Sequence, residues 1–176
     1  MEKRIVYIRH GEDRESSHKY DEKLTPEGKI QARKLAKKLI KKYGLPDVIY
    51  YSPFFRARET RKEMVKAITE FRDNLEDEQK NKRIKLKLDP RLGRFFTRKE
   101  RANPDISSST KHKGAIINER WKDFKERVES QLNDAFSNDY KIIWNITHTL
   151  VLLHVAELQD LSRDSHVEYL DTVILF

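Results

Sequence analysis

Three of the strands that the sequence predicts end in arginine, histidine or hydroxyl side chains. The first end reads Ile8-Arg9-His10-Gly11-Glu12, the second reads Tyr51-Ser52-Pro53-Phe54-Phe55-Arg56, and the third reads Ile146-Thr147-His148-Thr149. Guanidinium groups bind phosphoryl oxygens bidentately, and a neutral imidazole can attack phosphorus and carry the group covalently. Gly11 lets the chain turn sharply beside a substrate. Arg9, His10, Arg56 and His148 therefore point to phosphoryl transfer, which depends mainly on positioning and on stabilising negative charge.

Alternating strands and helices must bring these residues together. Apolar periodicity and cap signals predict strands at residues 3–8, 47–51, 84–88, 141–147 and 169–176, and helices after Thr25, after Ser52-Pro53, at 121–135 and at 149–158. Gly44 ends the first helix, and the second runs to Leu75. This alternation predicts an α/β fold, a three-layer α/β/α sandwich with a mainly parallel central sheet. Ligands bind at the carboxyl ends of such strands, so we expect the four residues to converge on one crevice.

Length and composition exclude several other classes of protein. The 176 residues fit one domain over 1–176, and the absence of cysteine excludes disulfide scaffolds, thiolate zinc sites and cysteine nucleophiles. No apolar run approaches the roughly 18 residues of a membrane span, and the first residues do not resemble a signal peptide. We therefore expect a soluble cytoplasmic domain without a membrane partner. The net charge of +8 favours an anionic partner, such as a phosphorylated substrate or a nucleic acid.

The same residues resemble the histidine phosphatase superfamily, also called phosphoglycerate mutase-like, in order along most of the chain. Arg9-His10-Gly11-Glu12 resembles the signature after its first strand, and residues 24–28 followed by Gln31-Ala32 resemble the start of its first helix. Residues 52–57 with Thr60 resemble the motif of its second arginine, and Thr147-His148 resembles that of its second histidine. Four motifs in order are much more specific than an isolated Arg-His-Gly.

The resemblance implies a role for each matching residue. His10 would be the phosphorylated nucleophile, and Arg9, Arg56 and His148 would bind the phosphoryl oxygens, with Gly11 and Glu12 in the same phosphate site. The implied fold is that of the phosphoglycerate mutase-like proteins. We expect no cofactor and no metal ion, because several cationic groups already surround the phosphate.

The sequence departs from the family pattern at the position of the general acid. Members often carry Leu-x-Glu after the third strand, whereas this chain reads Asp89-Pro90-Arg91-Leu92-Gly93-Arg94, with Arg94 at the place of the glutamate. Asp89 is the nearest carboxylate and is the predicted acid and base, with Glu100 and Glu12 as substitutes. Asp89 also fits a turn residue before proline.

The two histidines and the basic segment also have purely structural interpretations. His10 alone would fit a buried structural histidine, and His148 alone would fit a core histidine bonded to backbone. Residues 80–101 carry ten Lys and Arg against Asp89 and Glu100, with Phe95 and Phe96 between them. That basic segment fits a nucleic-acid surface, a solvated edge strand or the rim of the active site.

The leading hypothesis is a metal-independent phosphatase that hydrolyses phosphate monoesters through a phosphohistidine at His10. The substrate could be a phosphoprotein, a nucleotide or a small ester. The short segment 89–117 leaves little room for a lid, which favours hydrolysis over phosphoglycerate mutase activity. The alternative is a catalytically weak or inactive module that binds phosphate, or binds RNA through residues 80–101.

Overall fold

A five-stranded sheet forms the centre of the computed structural model, which describes residues 2–13, 22–73, 80–102, 115–116, 118–161 and 168–176. The strands are β1 (Arg4–Arg9), β2 (Val48–Tyr51), β3 (Lys85–Leu88), β4 (Ile142–Thr147) and β5 (Thr172–Leu175), in the spatial order β3-β2-β4-β1-β5. The pairings β3–β2, β2–β4 and β4–β1 are parallel, and β5 is antiparallel to β1. The mainly parallel sheet is thus confirmed.

Helices cover both faces of the sheet. They are α1 (Pro26–Tyr43), α2 (Phe55–Arg72), the short α3 (Arg98–Arg101), α4 (Trp121–Ser137) and α5 (Thr149–Leu158), with a 3-10 turn at Pro90–Leu92. Val6 and Ile8 of β1 lie in one core cluster with the apolar stripes of α1 and α2, whereas Ile5 and Tyr7 lie in the other with α4 and α5. The alternation of side chains along β1 therefore joins two cores into three layers, as predicted.

Local signals set the bounds of α1. The Thr25 hydroxyl accepts from the Gly28 N–H at 2.9 Å, Pro26 occupies the first turn, and Gly44 ends the helix at a φ of 89°. Gly28 also permits close packing, since a Cβ there would lie 2.4 Å from the Glu12 carbonyl oxygen. The beginning of α1 is thereby packed directly against the turn that follows His10.

The predicted start of α2 at Ser52-Pro53 was wrong. The helix begins at Phe55, and its preceding residue Phe54 makes no side-chain cap. The Ser52 hydroxyl contacts the ring of His148 instead, so a long-range contact takes the place of the expected cap. The predicted end at Leu75 lies outside the described residues, and the described helix ends at Arg72.

The segment after β3 is held against the sheet by several side chains. The Thr147 hydroxyl donates to the Leu92 carbonyl at 2.8 Å, and Arg127 donates to the carbonyls of Arg91 and Gly93. Arg127 is itself paired with buried Glu119 at 2.6 Å. These contacts fix the backbone that carries Arg94. The predicted loop 89–117 with helical fragments is described only at its beginning and near its end, since 103–114 and 117 lie outside the described residues.

Within the described residues, no helix is both long and apolar enough to cross a membrane.

Candidate active site

The carboxyl ends of β1, β2 and β4 place the three predicted segments side by side. The His10 N–H donates to the Thr147 carbonyl at 3.0 Å, and the Ser52 N–H donates to the Ile146 carbonyl at 3.0 Å. The imidazole rings of His10 and His148 lie with their centroids 5.1 Å apart, and the side chain of Arg56 reaches His148. The expected convergence of His10, Arg56 and His148 on one edge of the sheet is therefore present in the structure.

One ring nitrogen of His10 is left available for chemistry. Its Nδ1 lies 2.9 Å from the Gly11 carbonyl oxygen, which can only accept, so Nδ1 carries the hydrogen and Nε2 keeps its lone pair. Burial holds the pKa of His10 well below its usual range, and the charges of Arg56, Arg9 and Arg94 lower it further. The ring is thus a neutral imidazole at physiological pH, which is the form required of a nucleophile.

His148 is held at both ring nitrogens. Arg56 Nε donates to Nδ1 at 3.3 Å, and Nε2 lies 2.8 Å from the Ser52 hydroxyl. Because Nδ1 accepts, Nε2 carries the hydrogen and donates to Ser52. The ring of Phe54 meets His148 edge-on at 5.2 Å. Burial lowers the pKa of His148 well below its usual range, with Arg56 the next contributor, so this ring is also neutral.

Arg56 is a buried cation in the first turn of α2, where the helix dipole disfavours positive charge. Its Nε lies 3.7 Å from Asp13 Oδ2, so a carboxylate offsets that conflict in this structure. Thr60, one turn further along α2, donates to the Arg56 carbonyl at 2.7 Å and accepts from the Gly11 N–H at 3.0 Å. The turn after His10 is in this way tied to the helix that carries Arg56.

Arg9 contacts the ring of Tyr169, which also lies near His10. Its guanidinium carbon is 4.2 Å from the centroid of the Tyr169 ring, and that ring is 5.9 Å from the His10 ring. Glu12 makes a different kind of contact: its carboxylate accepts from the Thr25 hydroxyl at 3.2 Å, and its carbonyl accepts from the Thr25 N–H at 2.9 Å. Glu12 therefore secures the start of α1, while the charge of Arg9 acts on His10.

The structure does not bring Asp89 to the histidines through any described contact. Its two carboxylate oxygens accept from Arg91 Nε and Nη2 at 3.1 and 3.0 Å, and Oδ1 also caps the 3-10 turn through the Arg91 N–H. Arg91 extends from there to Asp134 on α4. The turn-residue interpretation of Asp89 thus describes its contacts, and its role as acid and base stays a prediction.

Arg94 is connected to His148 through two aromatic rings. Its guanidinium lies over the ring of Phe96 at 4.8 Å, Phe96 packs on Phe54 at 5.8 Å, and Phe54 meets His148. Glu100 Oε1 accepts from Arg94 Nη2 at 2.5 Å, and Oε2 accepts from the Thr97 N–H at 2.8 Å. Burial alone would raise the pKa of Glu100, but the Thr97 N–H and Arg94 outweigh it and lower that pKa. Glu100 is therefore a carboxylate at neutral pH.

Several cations of the basic segment have partners within the chain. Lys82 pairs with Asp47 at 2.7 Å, Arg91 with Asp89, Arg94 with Glu100, and Arg101 donates to the Glu119 carbonyl at 2.6 Å. Lys85 and Lys87 on the exposed strand β3 lie over the ring of Tyr140 at 5.0 and 5.4 Å. These contacts fit a charged edge strand and a rim better than a free basic surface.

Three residues of the cluster were missed from the sequence. Asp13 follows Glu12 in a polar loop, Tyr169 lies just before the last strand, and Ser52 was interpreted as a helix cap. Asp13 and Tyr169 have no periodic or motif signal, because only the pairing of β5 with β1 brings Tyr169 near Asp13. Ser52 belongs to the segment that carries Arg56, so its place in that motif was its only signal. Among the described residues, no group of three or more His, Cys, Asp or Glu is arranged to hold a metal ion.

Solved structures of several phosphatases share this fold. The ecdysone phosphate phosphatase from Bombix mori, in complex with tungstate, superposes with a TM-score of 0.64 at 15% identity, over 98% of this chain and 88% of that one. A mutant of phosphoserine phosphatase from Entamoeba histolytica, in complex with phosphoserine, gives 0.60 at 17% identity over 98% and 89%. A mycobacterial glucosyl-3-phosphoglycerate phosphatase gives 0.61 at 15% identity over 98% and 89%. At these identities the likeness shows the fold alone.

Comparison with curated protein sequences finds no significant match. The model of the histidine phosphatase superfamily, branch 1, matches residues 5–164. This span contains both histidines, Arg9 and Arg56, and it confirms the resemblance drawn from the four motifs. The chain belongs to the histidine phosphatase superfamily, and that membership supports a phosphatase activity.

Proposed function

We propose that this protein is a metal-independent phosphatase that hydrolyses phosphate monoesters through a phosphohistidine on His10. The observation that carries the proposal is the pair of buried, neutral histidines 5.1 Å apart, with the Arg56 guanidinium bonded to one of them. A single cluster thus combines a nucleophilic nitrogen with cationic and N–H donors for phosphoryl oxygens.

The first step forms a bond from His10 Nε2 to phosphorus and breaks the bond from phosphorus to the ester oxygen. The Nδ1–H bond to the Gly11 carbonyl orients the ring and stabilises the positive charge that the ring gains as Nε2 becomes substituted. In the second step water attacks phosphorus, the nitrogen–phosphorus bond breaks, and inorganic phosphate leaves. His10 is then restored as a neutral imidazole.

The surrounding donors stabilise the phosphoryl group during both steps. Arg56 and Arg9 would bind its oxygens with their guanidinium groups, and His148 would donate from a ring nitrogen. In this structure Arg56 and His148 satisfy each other, and Asp13 lies against Arg56. A phosphate dianion would take over the Arg56 guanidinium, and His148 would donate to it from Nδ1 once the ring proton moves to that nitrogen and Nε2 accepts from the Ser52 hydroxyl.

Hydrolysis of an aryl phosphate tests this function. An aryl leaving group departs with little help from an acid, so the assay reports on the nucleophile and the phosphate site. We expect turnover by the wild type in the presence of a chelator, and loss of that turnover in His10→Ala. His154→Ala is the matched control, because His154 is a buried histidine on α5 that bonds Glu157 and lies outside the cluster. Activity that survives His10→Ala would refute the mechanism, and activity that the chelator abolishes would refute metal independence.

The alternative is a module that binds phosphate or RNA without turnover. Arg94 at the place of the expected acid favours it, whereas the internal ion pairs of the basic segment disfavour RNA as the ligand. A wild type that binds vanadate but hydrolyses nothing would establish the phosphate-binding module. RNA binding would show as an affinity that falls steeply with salt, with a slope of about −0.7 per phosphate contacted on a single strand.

A further inference from the structure

Asp13, which follows the end of β1, contacts Arg56, one of the side chains proposed to bind phosphate. Its Oδ2 lies 3.7 Å from Arg56 Nε, and its Oδ1 accepts from the Tyr169 hydroxyl at 3.0 Å. Its side chain is 11% exposed, so it lies within the cluster. We propose that Asp13 is the catalytic acid that protonates the leaving group and the base that then activates water. This assignment rests on the proposed phosphatase function.

Tyr169 contacts both Asp13 and the residues around the nucleophile His10. The Tyr169 ring lies 5.9 Å from the His10 ring and 4.2 Å from the Arg9 guanidinium, while its hydroxyl holds Asp13. The backbone of Asp13 pairs with Leu24 in an isolated antiparallel bridge. Asp13 is therefore positioned from both sides, by a bridge on its backbone and by a hydrogen bond on its carboxylate.

The three carboxylates that the sequence offered as candidate acids are engaged in other bonds. Asp89 is bound at both oxygens by Arg91, and Glu100 by Arg94 and Thr97. Glu12 bonds the Thr25 hydroxyl at the start of α1. Arg94 fills the place of the family's acid with a cation, while Asp13 supplies a carboxylate on the side of His10 and Arg56. Positions 13 and 94 together thus supply one carboxylic acid and one additional cation to the site.

Asp13 accounts for both proton transfers that the reaction requires. As His10 Nε2 bonds to phosphorus, the ester oxygen departs and takes the proton of the Asp13 carboxyl group, which gives the free alcohol. The Asp13 carboxylate then removes a proton from the attacking water as the nitrogen–phosphorus bond breaks. Bound phosphate would engage the Arg56 guanidinium that Asp13 contacts in the free site.

The test compares two leaving groups in the intact protein. Asp13→Asn keeps the shape of the side chain and its contact with Tyr169 but cannot donate an acidic proton. We expect turnover of an alkyl phosphate, such as phosphoserine, to fall by roughly 10² to 10⁴, because a general acid contributes about that much, while turnover of 4-nitrophenyl phosphate changes little. Asp134→Asn is the matched control, since it removes an exposed carboxylate outside the site, and it should keep the wild-type ratio of the two rates.

The possible outcomes separate this inference from the function on which it rests. Equal losses on both substrates in Asp13→Asn would overturn the inference, because Asp13 would then only hold Arg56. A selective loss on the alkyl phosphate in Glu100→Gln would overturn it as well. An absence of turnover in the wild type, or turnover that survives His10→Ala, would refute the proposed phosphatase itself. The wild type gives a second readout should Asp13→Asn fold poorly. If a protonated carboxyl is needed, turnover of the alkyl ester falls at a lower pH than turnover of the aryl ester as the pH is raised, and identical pH profiles would overturn the inference.

Discussion

At the scale of single residues, Ser52 is the side chain that fixes the second histidine from the side opposite Arg56. It is fully buried, and its hydroxyl lies 2.8 Å from His148 Nε2. Removing it leaves a buried N–H without its partner, which costs about 1–3 kcal/mol. We therefore expect Ser52→Ala to lower the free energy of unfolding by about that amount and to weaken vanadate binding. Denaturant unfolding and a vanadate titration measure the two effects.

The control for Ser52 is Ser137→Ala, which removes an exposed hydroxyl at the end of α4. An unchanged stability and an unchanged affinity in Ser52→Ala would show that Arg56 alone orients His148.

Arg94 acts on both histidines through its charge. It is among the groups that lower the pKa of His10 and of His148, after burial and Arg56. Removing a nearby positive charge favours the protonated imidazole, so Arg94→Gln should raise both pKa values. NMR titration of the ring carbons measures the shift, with Arg120→Gln as the control on an exposed arginine that bonds Asp123. Unchanged pKa values in Arg94→Gln would mean that solvent screens this charge from the rings.

At the scale of elements, the packing of α1 against the turn after His10 depends on Gly28. A Cβ at this position would lie 2.4 Å from the Glu12 carbonyl oxygen and 2.9 Å from the Glu12 nitrogen. Gly28→Ala must therefore displace the turn that carries Glu12 and Asp13. Forced overpacking of this kind costs about 1–3 kcal/mol, and we expect a loss of phosphatase activity as well. Thermal unfolding and the aryl phosphate assay measure both.

Lys34→Ala is the control for Gly28, because it changes an exposed position of the same helix. Wild-type activity in Gly28→Ala would show that the helix start can move away without disturbing the site.

Elements whose signals are local were predictable from the sequence. The threonine cap, the first-turn proline and the terminal glycine of α1 act on their own neighbours, so the bounds of this helix follow from the sequence alone. The start of α2 was misplaced because the Ser52 hydroxyl has a better partner in His148, which is 96 residues away in the chain. Likewise, Tyr169 meets Asp13 across 156 residues. The motifs therefore predicted which residues converge at the strand ends, whereas the carboxylate beside them depended on contacts that no local pattern carries.

At the scale of the whole molecule, the two buried histidines couple stability to pH. Both have a folded-state pKa well below 6.5, so the unfolded chain binds their protons first as the pH falls. Their contribution to stability is complete above about pH 6.5 and is lost progressively as the pH falls from there toward the folded-state values. Denaturant unfolding at a series of pH values should show this loss. Replacing both histidines by asparagine should reduce the slope below pH 6.5, and an unaltered slope would contradict the assignment of neutral buried rings.

The central claim is that His10 carries the phosphoryl group, and it is tested most directly by trapping the intermediate. The enzyme is quenched rapidly during turnover of an aryl phosphate, and the mass of the protein and of its peptides is measured. We predict a population that is heavier by one phosphoryl group, located on the His10 ring and absent from His10→Ala. A phosphoryl group on another residue, or an enzyme that turns over without ever carrying one, would contradict this account.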